Sequence, residues 1–101
     1  MYIWETKIFS MPKIILFKNL IFFFYAYDLT ERLHLHIVNT KSERSKSAKI
    51  WLDTFEIFQE GSLSKKELKT CQKLIEENID NILEQIKRFS EGQKVEIINL
   101  N

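Results

Sequence analysis

The chain has 101 residues and a formal net charge of +1 at pH 7, from 15 basic and 14 acidic side chains. This length suits one domain with one core, and the charge balance excludes a protein held to nucleic acid or membrane by bulk charge alone. Apolar residues make up 45% of the chain, which excludes the composition of a disordered protein. The single cysteine, Cys71, excludes an internal disulfide and indicates a reducing compartment, so we expect a cytoplasmic protein.

Residues 1–61 have the composition of a β-sheet, because they hold 12 of the 13 aromatic residues. Met11-Pro12-Lys13 looks like the natural start of a protein. We therefore predict an N-terminal extension over residues 1–10 and a single domain over residues 11–101. The apolar run over residues 20–27 is far shorter than the ~20 residues of a membrane helix, which favours a buried central strand and no membrane contact. The predicted strands are residues 13–18, 20–27, 33–39, 48–52 and 54–58.

A tight turn is predicted at Lys18-Asn19, where Asn19 tolerates the left-handed conformation that such turns require. The intervening stretches at residues 28–32 and 40–47 are polar and are interpreted as connections. A further turn is expected around Gly61.

Residues 64–91 have the pattern of one long helix. Ser64 and Glu67 have the spacing of a capping box, and apolar residues then recur at intervals of three and four. Cys71 lies on the apolar stripe and is expected to be a small core residue. We therefore predict an α+β fold, with an antiparallel sheet of four to five strands over residues 11–58 packed by a helix over residues 64–91. A short final strand is expected over residues 94–100, on a sheet edge or against a partner.

His34 and His36 form the first candidate site. Side chains alternate along a strand, so both imidazoles are expected on one face. The pair could ligate a metal, bind phosphate or transfer protons, or it could be an ordinary pair of solvated or hydrogen-bonded surface histidines. A metal needs further ligands, and Asp28, Glu31 and Asp53 are candidates only if the fold brings one of them close.

Basic residues form the second candidate site, because cations beside hydroxyl groups can contact phosphates. The alternative is a solvated loop, which the interrupting Glu43 and the nearly neutral chain favour. The aromatic run near Phe22 could stack nucleic-acid bases, although core packing explains its nearly continuous apolar character better. The candidate binding residues are Arg32, Lys41, Arg44, Lys46 and Lys49.

The sequence lacks other familiar motifs of catalytic and cofactor-binding sites. There is no phosphate loop, paired-cysteine motif, G-x-S-x-G or H-E-x-x-H, so we expect no cofactor. Without a complete catalytic set, a protein that is not an enzyme is favoured.

Several motifs, taken in order, resemble one family. They are Met11-Pro12-Lys13, FFFY at residues 22–25, H-x-H at His34 and His36, AKIWLD at residues 48–53, and LSKKEL at residues 63–68. Together they resemble the small bacterial proteins of the domain of unknown function 4160 family, over about residues 11–90. Where members of that family usually have Pro before the first histidine, this chain has Glu31-Arg32-Leu33.

This resemblance implies a component of a toxin–antitoxin system that binds a cognate small protein. Genes of the family often lie beside genes of a second family, domain of unknown function 2442, which is the partner that the resemblance implies. The alternatives are an RNA-directed protein or ribonuclease that uses His34 and His36, a metal-binding module, and an inhibitor protein carried by a mobile element. A homodimer is also compatible with the sequence.

Overall fold

The computed structural model of the protein describes residues 12–41 and 46–101. They form one six-stranded sheet, a 3₁₀ helix and two α-helices, so the prediction of an α+β fold is confirmed. The predicted extension over residues 1–10 lies outside the described residues. The elements in chain order are β1 (Lys13–Phe17), β2 (Leu20–Phe23), the 3₁₀ helix (Ala26–Thr30), β3 (His34–Asn39), β4 (Ala48–Trp51), β5 (Ile57–Gln59), α1 (Lys65–Glu77), α2 (Ile79–Ser90) and β6 (Ile98–Asn99).

The sheet is mixed rather than wholly antiparallel. Its strand order is β5-β4-β3-β2-β1-β6, with antiparallel neighbours except for β6, which lies parallel to β1 at the edge. After α2, the chain runs along this edge of the sheet in the same direction as β1, so β6 pairs with β1 in parallel. Only Ile98 and Asn99 of the predicted segment 94–100 are in strand conformation, and the Leu100 N–H donates to the Leu16 carbonyl at 2.9 Å.

The predicted second strand over residues 20–27 is too long. β2 ends at Phe23, and the 3₁₀ helix follows from Ala26. The Asp28 carboxylate accepts a hydrogen bond from the Tyr25 N–H at 2.8 Å, and the Asp28 N–H donates to the Tyr25 carbonyl at 2.9 Å. Such local side-chain bonding competes with a strand ladder, and here it converts an apolar run into a tight turn.

The β1–β2 hairpin has a two-residue turn, as predicted, but its left-handed residue is Lys18. Phe17 pairs with Leu20, and Lys18 has a φ of 52°, whereas Asn19 is not among the described residues of positive φ. The Asn19 carbonyl instead accepts the Thr40 N–H at 2.8 Å, which ties this turn to the end of β3.

The capping box that begins α1 is confirmed, but the single long helix is not. Ser64 Oγ accepts the Glu67 N–H at 3.1 Å, and Glu67 Oε1 accepts the Ser64 N–H at 2.9 Å. The helix then breaks at Asn78, whose side-chain Nδ2 donates to the Leu74 carbonyl at 2.8 Å. An asparagine side chain that bonds to the backbone in this way competes with helix continuation, so α1 and α2 are separate helices.

One face of the sheet and both helices enclose the hydrophobic core. Side chains alternate along a strand, so the residues before and after each core residue of a strand have their side chains on the opposite face of the sheet. The opposite face carries both histidines. No helix in residues 12–41 and 46–101 is long and apolar enough to cross a bilayer. The core includes Phe22, Leu35, Ile37 and Ile50 from the sheet and Leu68, Cys71, Ile75, Ile82 and Ile86 from the helices.

Cys71 is a core residue, as expected from its place on the apolar stripe. It is fully buried, and burial raises the pKa of its thiol to about 12. Because the thiolate is the reactive form, we expect native protein to resist a thiol-specific reagent at neutral pH and to react with one equivalent after unfolding. Time courses of reagent absorbance with and without denaturant would measure this, and rapid reaction of native protein would contradict it.

Candidate metal centre

Three buried side chains meet on the face of the sheet that the helices do not cover. His34 and His36 lie two residues apart on the central strand β3, so they share that face, as predicted. Asp28 reaches them from the 3₁₀ helix. The exposed fractions are 4% for Asp28, 7% for His34 and 5% for His36, so these are not solvated surface histidines.

The Asp28 carboxylate lies between the two imidazoles. His36 Nε2 is 3.0 Å from Asp28 Oδ2, and His34 Nε2 is 3.7 Å from Asp28 Oδ1. The second distance exceeds that of a hydrogen bond, so His34 Nε2 faces the carboxylate without bonding to it. One donor atom from each of the three residues lies within 4.8 Å of the other two.

The backbone sets the tautomer of His34. Its Nδ1 lies 3.0 Å from the Arg32 carbonyl oxygen. A carbonyl can only accept, so Nδ1 carries the proton, and in the neutral ring Nε2 keeps a lone pair directed at the Asp28 side. His36 is arranged differently, because its Nε2 donates to the carboxylate in the neutral ring.

Aromatic rings enclose His36. Phe23 stacks on its ring with centroids 5.2 Å apart, and Tyr25 packs edge-on at 4.8 Å. On β4, Lys49 is its cross-strand partner. His36 is therefore an imidazole in largely apolar surroundings with one carboxylate partner and one neighbouring cation.

A second aromatic group covers His34. Trp51 and Phe58 each pack edge-on against its ring, at 5.5 and 5.4 Å, and stack on each other at 3.8 Å. Phe58 is 41% exposed, so the site lies one ring below the surface at this point. The Arg32 guanidinium lies over Trp51, 4.1 Å from the ring centre.

Burial lowers the pKa of His36 below its ordinary value of 6.5, an effect that the Asp28 carboxylate opposes and that His34 and Lys49 reinforce. The unfolded chain thus takes up a proton near pH 6.5, whereas the folded chain does so only at lower pH. Since the unfolded state binds more protons in this range, the free energy of unfolding should fall as the pH falls below about 6.5.

Thermal melting of metal-free protein at about pH 7.5 and pH 5.5 measures this effect, because the range spans the ordinary histidine pKa. We expect a lower melting temperature at the acidic pH and a smaller difference in His36→Gln protein. An equal difference in the variant would assign the pH dependence to other groups.

The other two acidic candidates do not join the histidines. The Arg32 guanidinium donates three hydrogen bonds to the Asp53 carboxylate, at 2.8 Å from Nη2 and at 2.9 and 3.2 Å from Nε, and this pairing lowers the pKa of the Asp53 carboxyl. Glu31 is exposed beside the 3₁₀ helix. The sequence offered three acids without distinguishing among them, and the local turn at Asp28 selects one of them.

The basic candidates are spread over the sheet. Arg32 precedes β3 and Lys41 follows it, so they lie at opposite ends of a six-residue strand, about 20 Å long at about 3.3 Å per residue. Lys46 is exposed before β4, and Lys49 is half-buried beside His36. Arg44 lies outside the described residues.

These features define a small α+β protein with one buried Asp-His-His cluster on the open face of a mixed sheet. The profile of the family described as "Domain of unknown function (DUF4160)" matches residues 19–86, which is more than half of the chain. The protein belongs to this family. Searches of curated proteins and of solved structures found no match to the chain.

Proposed function

We propose that this protein binds a divalent transition-metal ion through Asp28, His34 and His36. The observation that carries the proposal is the convergence of three buried donor atoms within 4.8 Å. The hydrogen bond from His34 Nδ1 to the Arg32 carbonyl supports it, because histidines that ligate metals typically donate their other ring nitrogen to such a group.

The donor set favours a transition metal over Mg²⁺ or Ca²⁺, since two imidazoles and one carboxylate suit Zn²⁺ or Fe²⁺. A tetrahedral ion with bonds of about 2.0–2.1 Å places its ligand atoms about 3.4 Å apart. The carboxylate–imidazole separations of 3.0 and 3.7 Å lie on either side of this spacing, and the three donor atoms lie within 4.8 Å of one another. Binding requires the neutral His36 ring to shift its proton from Nε2 to Nδ1, after which Nε2 can ligate.

Isothermal titration of untagged, metal-stripped protein with Zn²⁺ tests the proposal. We expect one equivalent to bind, with an affinity at least about 100-fold weaker in the His34→Gln/His36→Gln protein, since even residues behind the ligands typically contribute 10–100-fold. Glu31→Gln is the matched control, because it removes an exposed acid next to the site. Equal affinity in the double variant and the control would contradict the proposal.

Binding of a cognate small protein, within a toxin–antitoxin system, is a second candidate function. Membership of the family is compatible with it, and Phe58, exposed on the three-residue edge strand β5, favours a partner that adds to this edge. Co-expression with a neighbouring gene product of the domain of unknown function 2442 family tests it. We expect a complex that Phe58→Lys weakens. Absence of both a complex and toxicity on expression would contradict this candidate.

A further inference from the structure

We infer that the metal site takes an exogenous oxyanion, such as phosphate, as an additional ligand, and that Lys49 binds this anion. The inference rests on the proposed metal site and goes beyond it by naming a class of ligand. Three observations carry it: the number of protein ligands, the charge of the buried cluster and the position of Lys49.

The first observation is that the protein supplies an incomplete coordination shell. Within residues 12–41 and 46–101, the cluster of His, Cys, Asp and Glu side chains that can hold a metal has three members. Closed structural zinc sites have four protein ligands, whereas three protein ligands leave a position for an external molecule. A metal held by Asp28, His34 and His36 therefore has at least one position for a ligand that the described residues do not provide.

The net positive charge of the metal-loaded cluster favours an anion as the ligand in that position. Asp28 neutralises one charge of a divalent ion, and Lys49 adds another positive charge beside His36. The nearby Arg32 guanidinium is already paired with Asp53, so the pair adds no net charge. The loaded site would thus hold one uncompensated positive charge among buried groups, with the half-buried Lys49 as a second cation beside it, and this arrangement favours an anion that accompanies the metal.

Lys49 is placed to bind such an anion. It is the cross-strand partner of His36, so both side chains leave the same face of the sheet. Cross-strand partners have Cβ atoms about 4.5–5.5 Å apart, and a lysine side chain is long enough to bring its ammonium over the neighbouring ring. Lysine binds phosphate as a point charge, and here it would meet an oxygen of an anion whose other oxygen ligates the metal.

The anion can approach from the side of Phe58. This ring covers one side of His34 by edge contact at 5.4 Å and is 41% exposed, so its displacement uncovers that side without disturbing the hydrophobic core on the opposite face, while Trp51 still packs against His34 at 5.5 Å. Phosphate and acetate share the oxyanion chemistry but differ in charge and shape, so both serve as probes.

Protein loaded with Co²⁺ in place of the native metal provides the test, because its visible absorption reports the ligands of the ion. We expect phosphate to produce a saturable spectral change. Lys49→Gln should weaken phosphate binding by at least about tenfold, since hydrogen bonds between charged groups are stronger than those between neutral groups. Co²⁺ affinity should change little in this variant, and Lys69→Gln, which removes an exposed lysine from α1, should bind phosphate normally.

Four results would overturn the inference, and they separate it from the metal site itself. The first is a spectrum that neither phosphate nor acetate changes, and the second is equal phosphate binding by Lys49→Gln and Lys69→Gln. A spectrum that responds to pH but not to either anion would assign the position to hydroxide. These three results leave the metal site standing, whereas failure of Co²⁺ to bind would overturn both proposals.

Discussion

Zn²⁺ at about 100 times its Kd is expected to raise the free energy of unfolding of the metal-free protein by about 2.7 kcal/mol. An ion that binds only the folded chain stabilises it by mass action, and the three ligands come together only when the 3₁₀ helix docks beside β3. For a domain of this size the stabilisation corresponds to a rise in melting temperature of roughly 10–20 °C. Thermal melting followed by circular dichroism, with and without Zn²⁺, measures it.

Asp28→Asn is the informative variant for this stabilisation. The amide has nearly the shape of the carboxylate and can still accept the Tyr25 N–H, but it lacks the negative charge with which the carboxylate attracts a metal ion. We expect its melting temperature to respond little to Zn²⁺, while Asp53→Asn keeps the full response because Asp53 pairs with Arg32 instead. A full response in Asp28→Asn would contradict the assignment of Asp28 as a ligand.

Phe22→Ala is expected to lower the free energy of unfolding by about 3–5 kcal/mol, a large part of the roughly 5–15 kcal/mol typical of a whole domain. Phe22 is fully buried on β2, on the face that packs against the helices. Truncation therefore removes apolar burial and leaves a cavity that the close-packed core cannot fill. Urea denaturation, followed by tryptophan fluorescence, measures the loss.

Phe58→Ala is the matched control, since it deletes the same ring from the opposite face. Phe58 keeps 41% of its surface exposed and stacks mainly on Trp51, so its removal should cost about 1 kcal/mol. Equal losses in the two variants would mean that the core does not lie between the helices and the face that holds Phe22.

Local patterns predicted local structure well. The capping box at Ser64 and the shared face of His34 and His36 follow from spacing alone, because they depend on residues a few positions apart. The turn around Gly61 is also present, and Gly61 has a φ of 59°. The structure adds its reason, since a Cβ at this position would overlap the Lys46 carbonyl oxygen.

The errors arose where one local preference overrides another. The apolar run after Leu20 has strong strand propensity, yet the Asp28 side chain bonds to the backbone of Tyr25 and ends the strand. Asn78 interrupts an apolar stripe that otherwise continues from α1 to α2. The parallel pairing of β6 with β1 joins distant parts of the chain, so periodicity carries no information about it.

The sequence predicted the histidines of the candidate site but did not single out its carboxylate, because local patterns carry no information about tertiary contacts. Alternation along β3 identifies the two histidines, but their burial and their shared carboxylate depend on a turn that folds back across the sheet. Asp28, Glu31 and Asp53 were equivalent candidates in the sequence. Tertiary structure distinguishes them by pairing Asp53 with Arg32 and leaving Glu31 exposed.

Nitrogen-15 NMR of the imidazole rings tests metal binding at this cluster most directly, because the chain contains two histidines and untagged protein therefore has four ring nitrogens to observe. In metal-free protein at neutral pH we expect His34 to carry its proton on Nδ1. One equivalent of Zn²⁺ should then shift the Nε2 resonances of both His34 and His36 to the values of metal-bound nitrogen. Ring-nitrogen resonances that stay unchanged after one equivalent of Zn²⁺ would contradict a metal centre at Asp28, His34 and His36.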